Sequence, residues 1–219
     1  MHNVTVAFAA LLVMLLSYFF GCFNGSFMVS HFIIRDDVRK HGSGNAGLTN
    51  FYRTYGAKYA LLVIACDMGK TVAACLLGSF FFRCLGWDGT LGTLLAGLGC
   101  ELGHIFPVFY GFRGGKGILS GGTLVLLLNW RVAAVAWALF LLLWLTTRYV
   151  SLASITATCS APVTVYFVYG HNWLYTGLCL AVAALVVWCH RENIQRLLHG
   201  TEKKFKWHVN PTGGDEPPE

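Results

Sequence analysis

Long runs of apolar residues without a charged side chain restrict the folds open to this chain more than any other feature. Val4 to Phe20 is one such run and Val132 to Thr147 is another. A helix needs about 20 apolar residues to cross a bilayer core of about 30 Å. Only 12% of the residues are charged, against about 25% in a typical soluble domain. The chain therefore cannot cover itself with a hydrated surface, and lipid must be its solvent.

The runs predict an all-α polytopic integral membrane protein, a single seven-helix bundle formed by residues 1–209. A transmembrane barrel would instead need segments that alternate between apolar and polar residues. The predicted spans are Val4 to about Ser30, Lys58 to Phe82, Leu91 to Phe109, Ile118 to Leu128, Val132 to Thr147, Leu152 to Tyr169 and Leu174 to Cys189. Residues 210–219 (NPTGGDEPPE) are rich in Pro, Gly and acids, and predict a disordered acidic tail.

Two of these spans need comment. The first lacks a basic leading segment and a small-residue cleavage site, so we interpret it as a retained helix and not as a signal peptide. Ile118 to Leu128 would reach only about 17 Å at about 1.5 Å per residue. It either borrows neighbouring residues or is a discontinuous helix, and short Gly-interrupted segments are common at membrane-protein sites.

The basic residues predict the orientation, because Lys and Arg are enriched in cytoplasmic loops. With the N-terminus outside and the C-terminus in the cytoplasm, thirteen of the sixteen basic residues fall on the inner side. Arg83 and Arg131 lie outside, and Lys70 lies within a span. The protein is thus expected in the cell's inner membrane as a multi-pass protein. Its net charge of +6 needs no nucleic-acid partner, since headgroups and anionic substrates can account for it.

Three polar clusters interrupt the apolar sequence, and this orientation brings all of them to the cytoplasmic side. The first is HGSGNAGLTNFYRTYG, residues 41–56. Its glycines allow backbone N–H groups to converge on an anion, and its polar side chains add donors. Candidate phosphate-binding residues are Gly42, Ser43, Gly44, Asn45, Asn50 and Arg53. An ordinary polar loop between helices is the alternative interpretation.

The second cluster, GHIFPVFYGFRGGKG at residues 103–117, ends in a Gly-Gly-Lys-Gly turn that opens a helix. Backbone donors, a helix N-terminus and one ammonium suit an anion. It is not a nucleotide-binding Walker loop, because Ile118 follows where Ser or Thr is needed. His104 is either a structural hydrogen-bond donor or a catalyst. The other candidates are Gly114, Gly115, Lys116 and Gly117.

The third cluster is HRENIQRLLHGTEKKF, residues 190–205, where His190 and Asn193 share one helix face. An amphipathic juxtamembrane helix explains the same pattern.

Asp67 and Lys70 lie inside the second span, where ionisable groups cost about 2.5–3.5 kcal/mol each on insertion scales. They are expected to pair with each other or with a bound anion. Asp67 and Glu101 are too few acids to predict a metal site, and no cofactor is expected.

Together these segments resemble the bacterial glycerol-3-phosphate acyltransferases that use acyl phosphate. The resemblance rests on GSGNAGLTN with Arg53, on DMGK at residues 67–70, on GHIFPVFYGFRGGKG, on RYVSLAS at residues 148–154 and on HRENIQRLLHGTE. It covers nearly the whole chain from Gly21 to about Glu202. The sequence departs from the family pattern at Leu48, at Thr71 and at Ile118 to Gly122, where Ser120 stands in for a threonine.

The resemblance implies transfer of an acyl group from acyl phosphate to the 1-hydroxyl of sn-glycerol 3-phosphate, which yields lysophosphatidate and inorganic phosphate. Both substrates are anionic, which explains the basic clusters. The implied catalytic set is Ser43, His104, Lys116, His190 and Asn193, with His104 as a supporting residue. Lys70 is a further candidate for phosphate binding. Because acyl phosphate is already activated, no Ser-His-Asp triad is required.

Two other classes of protein remain to be weighed against an enzyme. A transporter of a phosphate-containing anion would share a basic pocket, but it should also have repeat symmetry, which the sequence lacks. A structural membrane subunit would not explain three Gly-rich polar clusters. No sequence pattern indicates the acyl-chain length or the oligomeric state.

Overall fold

The structure is a computed structural model that describes residues 2–206, and within that range it is helical and contains no strand. The ten α-helices are α1 (His2–Cys22), α2 (Gly25–Met28), α3 (Leu48–Tyr55), α4 (Ala60–Cys84), α5 (Gly89–Ile105), α6 (Ile118–Leu128), α7 (Trp130–Thr147), α8 (Val150–Val168), α9 (Trp173–Cys189) and α10 (Arg191–Leu198). The predicted tail at residues 210–219 lies outside the described part of the chain.

Five helical segments are long and apolar enough to cross a membrane: Val4–Ile34, Ala60–Cys84, Gly89–Tyr110, Trp130–Thr147 and Val150–Val168. Helices α9 and α10 make a sixth candidate that bends by 59° at their junction. α6 has 11 residues, too few to cross alone at about 1.5 Å per residue. The all-helical membrane fold is confirmed, whereas the count of seven and the orientation of the termini stay predictions.

Helices α1, α4 and α5 form one tightly packed half of the bundle, with α5 largely buried. Small residues make this possible, because membrane helices associate through close backbone packing. A Cβ at Gly103 would collide with the carbonyl oxygen of Tyr18, and one at Gly99 would collide with that of Met14. The close α1–α5 contact fixes the position of His104 at the end of α5.

A break after α1 connects this half of the bundle to the first polar loop. Asn24 lies in the break and is fully buried. Its side-chain oxygen accepts from the Phe27 backbone N–H at 2.9 Å, which caps α2. Its amide nitrogen donates to the Ala46 carbonyl oxygen at 3.0 Å. One side chain thus caps a helix and holds the loop that carries the first cluster.

Helices α7, α8 and α9 form the other half as two successive antiparallel hairpins. The α6–α7 turn is tight, because the Asn129 side chain accepts from the Arg131 backbone N–H at 2.9 Å and caps α7. Buried residues at the far end close the core, among them Val132, Val165 and Tyr175. A cavity separates α7 and α8 from α4 and α6 toward the opposite end.

Candidate active site

The three polar clusters meet around one cavity of about 1940 Å³. Side chains or backbone of Ser43 and Arg53 line it from the first cluster, Lys116 from the second, and His190 and Asn193 from the third. The lining also includes Gly42, Asn45, Asn50, His104 and Gly117. Residues as far apart in sequence as Gly42 and Asn193 therefore share one site.

The loop of the first cluster is shaped by left-handed glycines and by Asn50. Gly42 has φ 57° and Gly44 has φ 69°, values that L-residues with a Cβ rarely adopt. The Asn50 amide nitrogen donates to the carbonyl oxygens of His41 at 3.1 Å and Asn45 at 3.0 Å, and its oxygen accepts from the Ser43 N–H at 3.0 Å. Asn50 was predicted to bind phosphate, but its amide is occupied in holding the loop.

The first and second loops are joined through Gly114. Its carbonyl oxygen accepts from the Ala46 N–H at 3.3 Å and from the Asn45 side chain at 3.4 Å. The Gly114 N–H in turn donates to the carbonyl oxygen of Ile105, at the end of α5. Asn45 therefore ties the two predicted phosphate loops into one unit, and Gly114 acts through its backbone.

The loop formed by residues 114–117, which we call the Lys116 loop, packs against His104. The Gly115 N–H donates to the His104 carbonyl oxygen at 3.1 Å, and a Cβ at Gly115 would strike the His104 Nε2 atom. Gly117 has φ 81° and begins α6 as its N-cap. This geometry agrees with the supporting role expected for His104, because the ring and the carbonyl both lie beneath the loop.

The Lys116 ammonium faces the third cluster and donates a hydrogen bond to the Asn193 side-chain oxygen. Burial lowers the pKa of Lys116, the positive charge of Arg196 lowers it further, and Glu202 partly offsets both effects. A less solvated ammonium binds an incoming anion at a smaller desolvation cost. The structure therefore presents Lys116 at the cavity as a cation that is only partly neutralised.

His190 lies at the bend between α9 and α10 and is 3% exposed. Its Nδ1 atom is 2.7 Å from the Val186 carbonyl oxygen, so we assign the proton to Nδ1, where it can be donated. Nε2 is then left as a hydrogen-bond acceptor. Such an imidazole is fixed in orientation and can accept a hydrogen bond from a hydroxyl group.

Asp67, Lys70 and His104 form a second ionic cluster, in which Asp67 and His104 line the cavity and Lys70 does not. We call it the closed cluster because protein groups enclose the Lys70 ammonium. The Lys70 Nζ atom lies 2.8 Å from Asp67 Oδ1 and 2.8 Å from His104 Nδ1, and it donates to the carbonyl oxygens of Gly21 and Phe23 at 3.1 Å each. The predicted Asp67–Lys70 pair is confirmed. A phosphate-binding role for Lys70 gains no support, because protein groups already surround its ammonium and it does not line the cavity.

A carboxylate that we did not predict completes the open side of the site. Glu202 Oε1 accepts from Ser151 and from Asn193 at 2.7 Å each, and Oε2 accepts from Arg196 Nε at 2.7 Å. Burial acts to raise the pKa of Glu202, but these three hydrogen bonds outweigh it and hold the pKa below its ordinary value. Both contributing segments, RYVSLAS and HGTE, belong to the resemblance, which was the signal available for Ser151 and Glu202.

Residues 201–206 cross the cavity mouth as a strap. Arg53 Nη2 donates to the Lys203 carbonyl oxygen at 3.2 Å, and the Phe205 N–H donates to that of Arg148 at 2.8 Å. The Phe205 ring lies 5.4 Å from the rings of Tyr52 and Trp144, measured between centroids. The strap therefore bridges α3 and α7, and Arg53 contributes to holding it.

Glu101 lies beneath the start of α6 with its side chain 1% exposed. Within residues 2–206, neither of its carboxylate oxygens has a hydrogen-bond partner, and the buried Ser120 hydroxyl has none either. A Cβ at Gly117 would strike Glu101 Oε2. The carboxyl thus packs directly under the Lys116 loop. In the described part of the chain, no group of three or more His, Cys, Asp or Glu residues could hold a metal ion.

Comparisons with known proteins identify the family of this chain. The family model described as glycerol-3-phosphate acyltransferase matches residues 11–200. A glycerol-3-phosphate acyltransferase of Syntrophomonas wolfei is 40% identical over 197 residues, which are 90% of this chain and 96% of that protein. One of Prochlorococcus marinus is 34% identical over 198 residues, 89% of this chain and 97% of that protein.

Two crystal structures of PlsY (YgiH), an integral membrane glycerol 3-phosphate acyltransferase, have the same fold. The glycerol 3-phosphate form matches with a TM-score of 0.79 at 37% identity, and covers 90% of this chain and 96% of that one. The lysophosphatidic acid form matches with a TM-score of 0.77 at 35% identity over the same shares. From the matched residues and the shared fold, this chain belongs to the glycerol-3-phosphate acyltransferase family and is a multi-pass membrane acyltransferase of phospholipid biosynthesis.

Proposed function

We propose that the protein transfers an acyl group from acyl phosphate to the 1-hydroxyl of sn-glycerol 3-phosphate. The products are lysophosphatidate (1-acyl-glycerol 3-phosphate) and inorganic phosphate. The observation that carries this proposal is the cavity itself, whose mouth is lined by cations and whose interior is lined by apolar side chains of α7, α8 and α9. Such a cavity suits a reaction between a polar anion and a lipid-like chain.

Two anionic groups must bind at the mouth, and cations are available for both. Lys116, Arg53 and Arg196 line the cavity, and a guanidinium matches the geometry of phosphate oxygens. Arg196 is engaged with Glu202, and Lys116 with Asn193. We assign phosphate binding to Ser43, Asn45, Arg53 and Lys116, together with the backbone of Gly42 and Gly117, which line the cavity. The N–H groups of Gly44, Gly114 and Gly115 already donate to the carbonyl oxygens of His41, Ile105 and His104, so the backbone of these glycines shapes the loops.

His190 and Asn193 are proposed to orient glycerol 3-phosphate so that its 1-hydroxyl faces the acyl carbonyl carbon. The hydroxyl oxygen forms the new ester bond, and the bond from the carbonyl carbon to the bridging phosphate oxygen breaks. The electron pair of that bond leaves with inorganic phosphate, and a substrate phosphate oxygen accepts the hydroxyl proton. The protein then contributes mainly position and charge stabilisation, which relaxes the need for a protein acid or base.

The test is a phosphate-release assay on purified protein with acyl phosphate and glycerol 3-phosphate. We expect phosphate release to require both substrates. Lys116→Ala should slow it by about 100-fold or more, since loss of one preorganised donor costs roughly 10²–10³ in rate. Lys40→Ala is the matched control, because Lys40 is exposed and lies outside the cavity lining. Equal slow release by the wild type and Lys116→Ala would refute the proposal.

A further inference from the structure

The apolar interior of the cavity is an arm that is built from one face of each of three helices. On α8 the lining residues Ser154, Ala157 and Ala161 recur at the spacing of a single helix face. On α9 the lining stripe extends from His190 back to Cys179. α7 contributes a third stripe that ends at Ala136. The arm therefore extends from the polar mouth toward the opposite end of the bundle.

The two longer stripes give the same depth independently. Ser151 to Ala161 on α8 spans about 15 Å at about 1.5 Å per residue, and His190 to Cys179 on α9 spans about 16 Å. A carbon–carbon bond of about 1.5 Å advances an extended alkyl chain by about 1.3 Å. The arm can thus hold an extended segment of about twelve carbons.

Small side chains line the inner end of this arm. Ala136, Ala161 and Cys179 are among the deepest lining residues of their helices. Beyond them lies the buried core that contains Val132, Val165 and Tyr175. The arm therefore ends in packed side chains, and we refer to Ala136, Ala161 and Cys179 as its floor.

We propose that this floor determines the acyl-chain length that the enzyme prefers. The inference rests on the proposed function, since it assigns the arm to the acyl chain of the donor. Each methylene buried in apolar surroundings contributes about 0.8 kcal/mol, which is about fourfold in binding. A larger side chain at the floor should exclude the terminal carbons of long chains from the arm and so remove their contribution to binding. Shorter chains, which do not reach the floor, should be unaffected.

The experiment measures kcat/KM for a series of saturated acyl phosphates, from medium to long chains, with wild type and Ala161→Phe. The added ring fills the inner end of the arm, so we expect kcat/KM for the longest chains to fall at least tenfold. Values for medium chains should change less than threefold. The KM for glycerol 3-phosphate should not change, because the mouth is about 15 Å away.

Ala184→Phe is the matched control, because Ala184 is exposed on the outer, lipid-facing side of α9. It adds the same ring without entering the arm and should preserve the wild-type profile. Ala136→Leu tests the floor from a different helix, and remains informative if Ala161→Phe fails to fold. Both floor variants should shift the profile in the same direction.

A uniform loss of activity at every chain length, or an unchanged profile in both folded floor variants, would overturn the proposal. These outcomes are distinct from failure of the proposed function, in which wild-type protein would not use acyl phosphate of any length. If Ala184→Phe changed the chain-length profile of kcat/KM as much as the floor variants do, the floor would not be what determines chain length.

Discussion

Two ionic clusters lie near the same end of this bundle, and they differ in what remains available to a ligand. In the closed cluster, Lys70 is surrounded by Asp67, His104 and two backbone carbonyl groups. In the open cluster, Lys116, Asn193, Arg196 and Glu202 form a linked network along a large cavity. The residue types are similar, but the Lys70 ammonium is enclosed by protein groups, whereas the Lys116 ammonium lies at the cavity that we propose binds substrate.

The difference shows that charge within a membrane span does not by itself indicate a binding residue. Lys70 was expected to pair with Asp67 or with a bound anion, and it was a candidate phosphate-binding residue alongside Lys116. Its neighbours instead compensate the cost of burying a charge, which is steep unless the charge is paired and hydrogen-bonded. The comparison predicts that changes in the closed cluster affect folding, and that changes in the open cluster affect turnover.

The largest effect should follow from Asp67→Ala, which leaves the Lys70 ammonium buried without its carboxylate partner. Breaking a buried ion pair from one side costs about 3–5 kcal/mol, so folded protein should be greatly reduced. Thermal denaturation in detergent and the yield of monodisperse protein measure this effect. The double change Asp67→Leu with Lys70→Met should recover part of the loss. An Asp67→Ala protein with wild-type thermal stability but no activity would reverse the roles of the two clusters.

The next largest effect is expected for Asn193→Ala in the open cluster. Asn193 accepts from Lys116 and donates to Glu202, so its removal misplaces both groups. We expect kcat/KM for glycerol 3-phosphate to fall about 100-fold, with the melting temperature lowered by only a few degrees. Gln195→Ala on the exposed side of the same helix is the control. A collapse of stability with Asn193→Ala would place Asn193 among the structural residues.

A smaller effect, of the opposite sign, is expected for Glu101, whose carboxylate has no hydrogen-bond partner within residues 2–206. Replacing an unsatisfied buried polar group with an apolar one of similar shape removes about 1–3 kcal/mol of cost. Glu101→Met should therefore raise the melting temperature, measured at neutral pH in detergent. A marked decrease would mean that Glu101 has a stabilising partner, such as a bound water or a proton-sharing group.

The smallest effect concerns the pH dependence of Glu202. Because the folded protein holds the pKa of Glu202 below its ordinary value, its contribution to stability is present above the ordinary pKa. That contribution is lost as the pH falls through the lowered pKa. Melting curves of wild type and Glu202→Gln should therefore differ at neutral pH and converge in acid. Glu192→Gln, at a more exposed carboxylate beside Arg196, serves as the control. Curves that stay equally separated at every pH would contradict the assignment.

Local patterns were enough to predict part of the site. Asp67 and Lys70 are three residues apart on a helix, so their pairing followed from helical geometry. The glycines at 42, 44 and 47 predicted unusual backbone. Gly42 and Gly44 have positive φ, whereas Gly47 has φ −121°, an extended conformation that other residues also adopt. His104 could not be assigned to the Asp67–Lys70 pair, however, because it comes from another helix and meets them only through the packing of α5 against α4.

The sequence alone determined that the chain is an all-helical membrane protein, because a charge-poor chain can bury its backbone polar groups in lipid only by forming helices or barrels. It also identified the polar clusters and the family. Only the tertiary structure decided which cations remain available to bind an anion. That availability depends on how many protein groups already accept hydrogen bonds from each ammonium, such as Gly21 from Lys70 and Asn193 from Lys116. These contacts join residues 49 and 77 positions apart, and such pairings follow from helix packing that no local pattern encodes.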